Sequence, residues 1–70
     1  MLDEREALVV EVRPWDVHGS PFVDVTLAYP DRRIETARLG GESVPTDLRA
    51  GERVVVTLVM STIVEVRRPA

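Results

Sequence analysis

Apolar and polar residues alternate with a period of two along most of the chain, the spacing of a β-strand rather than a helix. In "ALVVEVRPW" this puts Leu8, Val10 and Val12 on one face, and Val9, Glu11, Arg13 and Trp15 on the other. In "PFVDVTLAY", Val23, Val25, Leu27 and Tyr29 alternate with Phe22, Asp24, Thr26 and Ala28, the pattern of a half-buried strand. "YPDRR" then reads as a turn, with Pro30 pre-set for the second position and Asp31 after it. "RIETARL" is a third strand. Its apolar residues, Ile34 then Ala37 and Leu39, change parity, so a bulge near Thr36 or Ala37 is expected to restore the core face.

Residues 40–52, "GGESVPTDLRAGE", form the longest break. Gly40 and Gly41 end the strand, and Pro45 to Leu48 can make one helical or 3₁₀ turn closed by Gly51. The next stretch, "ERVVVTLVMSTIVEV", is apolar nearly throughout. As one strand it would run roughly 43 Å at the strand rise, too long for so small a domain. A hairpin centred on Ser61 is shorter and pairs Val56 with Val66 and Leu58 with Val64 inward. It pairs Thr57 with Glu65 and Val59 with Ile63 outward. A two-residue turn at Met60-Ser61 would set Glu65 against Val56 on the core face, so register favours an odd-length loop, although "MST" has poor turn chemistry.

The expectation is therefore an all-β domain of five antiparallel strands, with at most one short helical turn near residues 45–49. Small antiparallel sheets of this kind remove their open edges by closing into barrels. The meander "VVEVRPW…FVDVTLAYPDRRIETARL" and the stretch "DLRAGERVVV" together resemble an OB-fold. The second stretch is similar to the Leu-Arg-x-Gly-(Glu/Met)-x-Val element that opens strand four of many small OB barrels, including those of the zinc-ribbon–OB acyl-CoA-associated proteins. The resemblance is at the level of the fold. The same element recurs in SH3-like barrels, and the helix usual between OB strands three and four is here a turn at most, so an SH3-like barrel is the alternative. No zinc ribbon is present, and no role of that family carries over.

Seventy residues make a single domain, residues 1–70, with the acidic start "MLDERE" expected to fray over residues 1–6. A domain of this size buries only about 60% of its unfolded surface, and without cysteine it has neither disulfide nor Cys-based zinc site to support it. Nine basic against twelve acidic residues give a net charge of −3, which argues against strong non-specific nucleic-acid binding. All the basic residues are arginine, and lysine, asparagine and glutamine are absent, as in a GC-rich, bacterial type of coding bias. The N-terminus lacks the basic region of a signal peptide, and no apolar run approaches the roughly 20 residues of a membrane span. The default compartment is the cytoplasm, with no membrane partner.

Candidate chemistry is thin. The single His18 lies in "WDVHGSP" with Asp16 and Ser20 nearby, but a catalytic set needs a base, a nucleophile and an orienting group in register. A metal site needs three or four suitable ligands. The expectation is a non-enzyme without cofactor or metal. For binding, two sets stand out. Arg13, Trp15, Phe22, Arg32 and Arg33, with Arg38 depending on the bulge, could form the aromatic-and-basic surface that holds a weakly bound nucleic-acid single strand. Val9, Val55, Val59 and Ile63 lie on the outer parity of their strands and, if contiguous, mark an interface with another protein chain. A symmetric homodimer is its simplest form.

Overall fold

A computed structural model describes residues 1–70. The chain forms β1 (Leu2–Val17), β2 (Ser20–Ala28), β3 (Ile34–Gly40), a 3₁₀ turn (Gly41–Ser43), β4 (Arg53–Val59) and β5 (Thr62–Arg67). All strands join one antiparallel sheet in the order β3-β2-β1-β4-β5. The first four have the Greek-key arrangement, in which a long connection returns the fourth strand beside the first. The sheet curls until β3 and β5 approach each other, but they do not pair, so the barrel is open along that seam.

β1 is the strand on which the others hang. Leu2–Leu8 pair with β4, and Leu8–Val17 pair with β2. The acidic terminus therefore does not fray; Asp3, Glu4 and Glu6 stand in a ladder. Just past the residue shared by both partners, Val10 is an extra residue between Val9↔Leu27 and Glu11↔Thr26. Such a bulge bends the strand and raises its twist, which lets β1 serve both halves of the barrel. It also corrects the expected faces. Ala7 and Val9 enter the core, whereas Leu8 and Val10 face solvent; beyond the bulge Val12 turns inward as expected.

The core is aliphatic, with Val25, Leu27, Val54, Val56 and Val66 fully enclosed and Leu39, Leu48, Leu58 and Ile63 around them. Burying each such side chain contributes roughly 1.5–3 kcal/mol. Leu48, in the segment where a short helical turn was expected, is buried and packs into this core. Its segment is tied to β1 by Val9 N–H donating to Glu52 O (2.9 Å) and Gly51 N–H to Val9 O (2.7 Å). The Glu52 carboxylate accepts from Arg49 N–H (2.8 Å) and Arg68 Nε (2.8 Å), and both contacts hold it below the usual carboxylate range. The 3₁₀ turn sits at Gly41–Ser43, directly after the strand, not at 45–49. In β3 there is no bulge. The ladder with β2 runs unbroken from Ala28↔Ile34 to Phe22↔Gly40, so Ile34 keeps the outer parity and stays exposed.

Residues 53–67 are a hairpin, and Val56↔Val66 and Thr57↔Glu65 pair as expected. The loop, however, has only two residues. Met60 (φ 50°) and Ser61 (φ 70°) both take left-handed backbone, the signature of a type I′ turn. A bulge at Val64 then absorbs the parity error that this turn creates, setting Ile63 opposite Leu58 inside the core and keeping Val66 inside as well. The outer side of β4 carries an ion pair over its middle and exposed apolar side chains, Leu2 and Val59, at its hairpin end. Glu4 on β1 and Arg67 on β5 meet at 2.6 Å across it, over the row of Thr57 and Val55. Thr57 is buried beneath them.

Neither Met60 nor Ser61 is suited to left-handed backbone, which costs a non-glycine residue about 1–2 kcal/mol. Replacing the pair by Asn-Gly (Met60→Asn with Ser61→Gly) should raise stability by about 1 kcal/mol in urea unfolding, with the slope unchanged. A destabilised double variant would contradict this turn.

Candidate binding face

The unbroken β2–β3 ladder and the β1 bulge together sort the outer face of β1–β2–β3 into four cross-strand rows. From one end these are Trp15–Phe22–Gly40, Arg13–Asp24–Arg38, Glu11–Thr26–Thr36 and Leu8–Ala28–Ile34. Rows on one face repeat every second residue, about 7 Å apart. The face thus passes from aromatic through charged and hydroxylic to aliphatic, with Val10 bulging out beside the last rows.

The aromatic end is held in place. The Trp15 and Phe22 ring centroids lie 6.1 Å apart, tilted by 39°. The Arg38 guanidinium carbon stands 4.0 Å over the Trp15 ring, within cation–π range. The same guanidinium grips Asp24 with two bonds, Nε to Oδ1 at 2.9 Å and Nη2 to Oδ2 at 3.2 Å. Arg38 is the main reason the Asp24 carboxyl lies below its ordinary range, with Trp15 adding to the effect. Asp24 in turn raises Arg38. Thr26 and Thr36 share a hydroxyl hydrogen bond of 3.0 Å in the next row, and Arg13 Nε lies 3.9 Å from Glu11. At the aliphatic end Ile34 is 67% exposed; Trp15 at the other end is 37% exposed.

The structure therefore brings together Arg13, Trp15 and Phe22 and adds Arg38, which joins them because β3 has no bulge. It separates Arg32 and Arg33. These lie in the β2–β3 turn, about 20 Å along β2 from Phe22. Arg33 there lines a cavity of about 330 Å³ with Tyr29, Glu35, Leu58 and Met60. Tyr29 Oη donates to Glu35 at 3.0 Å. Burial, then Glu35, push its hydroxyl up to about 12.

The apolar interface set does not assemble. Val9 and Ile63 are in the core, because the parities of β1 and β5 differ from those read along the sequence, and Val55 is half-buried; Val59 alone is exposed on its strand. Asp24, Leu8, Val10 and Ile34 belong to the face but were not singled out. Strict alternation through β3, with no bulge invoked, would have found Ile34. His18 is an exposed turn residue (φ 51°) without a hydrogen bond or ion pair to Asp16 or Ser20. No three side chains among His, Asp and Glu converge to hold a metal ion, and no helix is long and apolar enough to cross a membrane.

Asp24 gives the platform a measurable pH dependence. Its folded pKa is depressed, so the tie to Arg38 is complete above the ordinary carboxylate range and is lost as pH falls through the lowered value. Trp15 is the only tryptophan. Its fluorescence should change in one step below the usual carboxylate range. Asp24→Asn should show the acid-state signal already at neutral pH and no step, with little change in global stability because the ion pair is solvent-exposed. A step that persists in Asp24→Asn would refute the assignment. No known protein family, curated protein or solved structure matches this chain.

Proposed function

We propose that this chain is a cytoplasmic, non-enzymatic binding module of OB-like architecture, and that the outer face of β1–β2–β3 is where it engages another protein chain. The observation that carries this reading is the pinned Arg38–Trp15–Phe22 group on the same face as solvent-exposed Leu8, Val10 and Ile34. Tryptophan and arginine are enriched among binding hot spots, and exposed apolar side chains contiguous with them enlarge the patch. A rigid sheet that already orders them loses little freedom on binding. The β1–β2 and β4–β5 connections are two-residue turns, His18-Gly19 and Met60-Ser61.

A second reading, weak binding of a nucleic-acid single strand, is favoured by the shared face of Arg13, Trp15 and Phe22. Stacking on such aromatics is sequence-tolerant. Against it, Asp24 engages Arg38 and Glu11 lies beside Arg13, so the face offers little uncompensated positive charge.

A photo-crosslinking amino acid at position 34 should capture a protein partner in cells, while the same group at position 62, on the β4–β5 side, should not. Equal capture at both positions would sink the choice of face. For the second reading, Trp15 fluorescence is titrated with a labelled oligonucleotide at low salt. We expect no saturable change. Saturable binding that weakens with salt and loses roughly 1–3 kcal/mol in Trp15→Ala would establish the nucleic-acid reading instead.

A further inference from the structure

We infer that the outer face of β1–β2–β3 recognises a second copy of this chain, forming a weak twofold dimer in which the aromatic end of one face packs on the aliphatic end of the other. This rests on the binding-module reading and names its partner.

The argument is self-complementarity. A twofold interface uses the same patch on both subunits, so a residue that meets another must be met by it in return. Two such sheets can stack face to face about an axis that crosses the strands midway between the charged and hydroxylic rows. That operation reverses the order of the rows and keeps each strand over its own copy. Trp15 then faces the second copy's Leu8, and large Phe22 faces small Ala28. Ile34 faces Gly40, which has no side chain to displace, and Arg13 faces Glu11. Asp24 and Arg38 face the hydroxyls of Thr26 and Thr36. Size meets its complement, and the only charge facing a charge is of opposite sign. The alternative axis, along the strands, would set Arg13 against Arg38 and Phe22 against itself, and like charges facing one another select against it.

The test exploits the Arg13–Glu11 contact. Each residue is exposed, so exchanging its charge spares the fold, as circular dichroism would verify. Sedimentation of the wild type across micromolar to millimolar concentrations should show reversible dimerisation. Arg13→Glu and Glu11→Arg should each weaken it at least about tenfold, since each sets like charges together twice. An equimolar mixture of the two variants should recover wild-type affinity, as a heterodimer in which both contacts are again of opposite sign. Ile34→Asp, a second variant independent of that pair, should weaken dimerisation too. The inference falls if the wild type is monomeric throughout. It also falls if the dimer is indifferent to these variants, as one paired through the free β3 edge would be, or if the mixture is no tighter than its components. A monomer that still captures a different protein through position 34 overturns self-recognition and leaves the binding module standing; a monomer that captures nothing there overturns both.

Discussion

The structure depends on one strand having two partners. β1 pairs with β4 over its first half and with β2 over its second, and Leu8 belongs to both ladders. A straight strand cannot do this within a small curled sheet. The bulge at Val10 supplies the bend, and the choice of core follows from it. Ala7 and Val9 lie inside before the bulge and Val12 after it, and the outer side of β1 carries Leu8, Glu11, Arg13 and Trp15 in line with β2 and β3. The bulge therefore builds the core and the candidate binding face together.

A chain this short has few ways to complete its core. The seam between β3 and β5 is not closed by hydrogen bonds. Enclosure comes instead from side chains and short ties: Leu48 plugs one end, Glu52 fastens the plug to β1 and to Arg68, and Glu4 with Arg67 spans β4 over the buried Thr57. The ion pairs among these are exposed, where such contacts add little stability. Their role is to fix where segments lie, while the aliphatic interior supplies the driving force.

Period-two patterning was enough to read the all-β class, the five antiparallel strands and the hairpin at 53–67, since alternation reports directly on which strands are half-buried. β2 was legible residue by residue because it has no irregularity. The errors in face assignment come from bulges, which shift parity by one. In β1 the bulge at Val10 follows Leu8 and Val9, and all three side chains suit either face. In β5 the bulge at Val64 offsets an I′ turn made of Met60 and Ser61, residues that seldom adopt it. In β3 the mistake was the opposite: a bulge was invoked to bury Ile34, which the ladder leaves outside. Of the candidate site, Arg13, Trp15 and Phe22 were legible from local alternation. Arg32 and Arg33 were misplaced because a turn at the far end of β2 cannot be located relative to Trp15 without the ladder.

The Asp24–Arg38–Trp15 group joins these levels. Asp24 and Arg38 are opposite each other only because the β2–β3 ladder is regular, and Trp15 lies beside them only because β1 is in register with β2 beyond its bulge. The carboxylate fixes the guanidinium, and the guanidinium then covers one side of the indole. That arrangement spends the positive charge a phosphate would need while ordering a flat, partly apolar surface. A cation held by its own carboxylate is a poor counterion for a polyanion but a good positioning element for contact with another protein surface, where fixed geometry matters more than net charge. The same chemistry that makes the face rigid thus also narrows what it can bind.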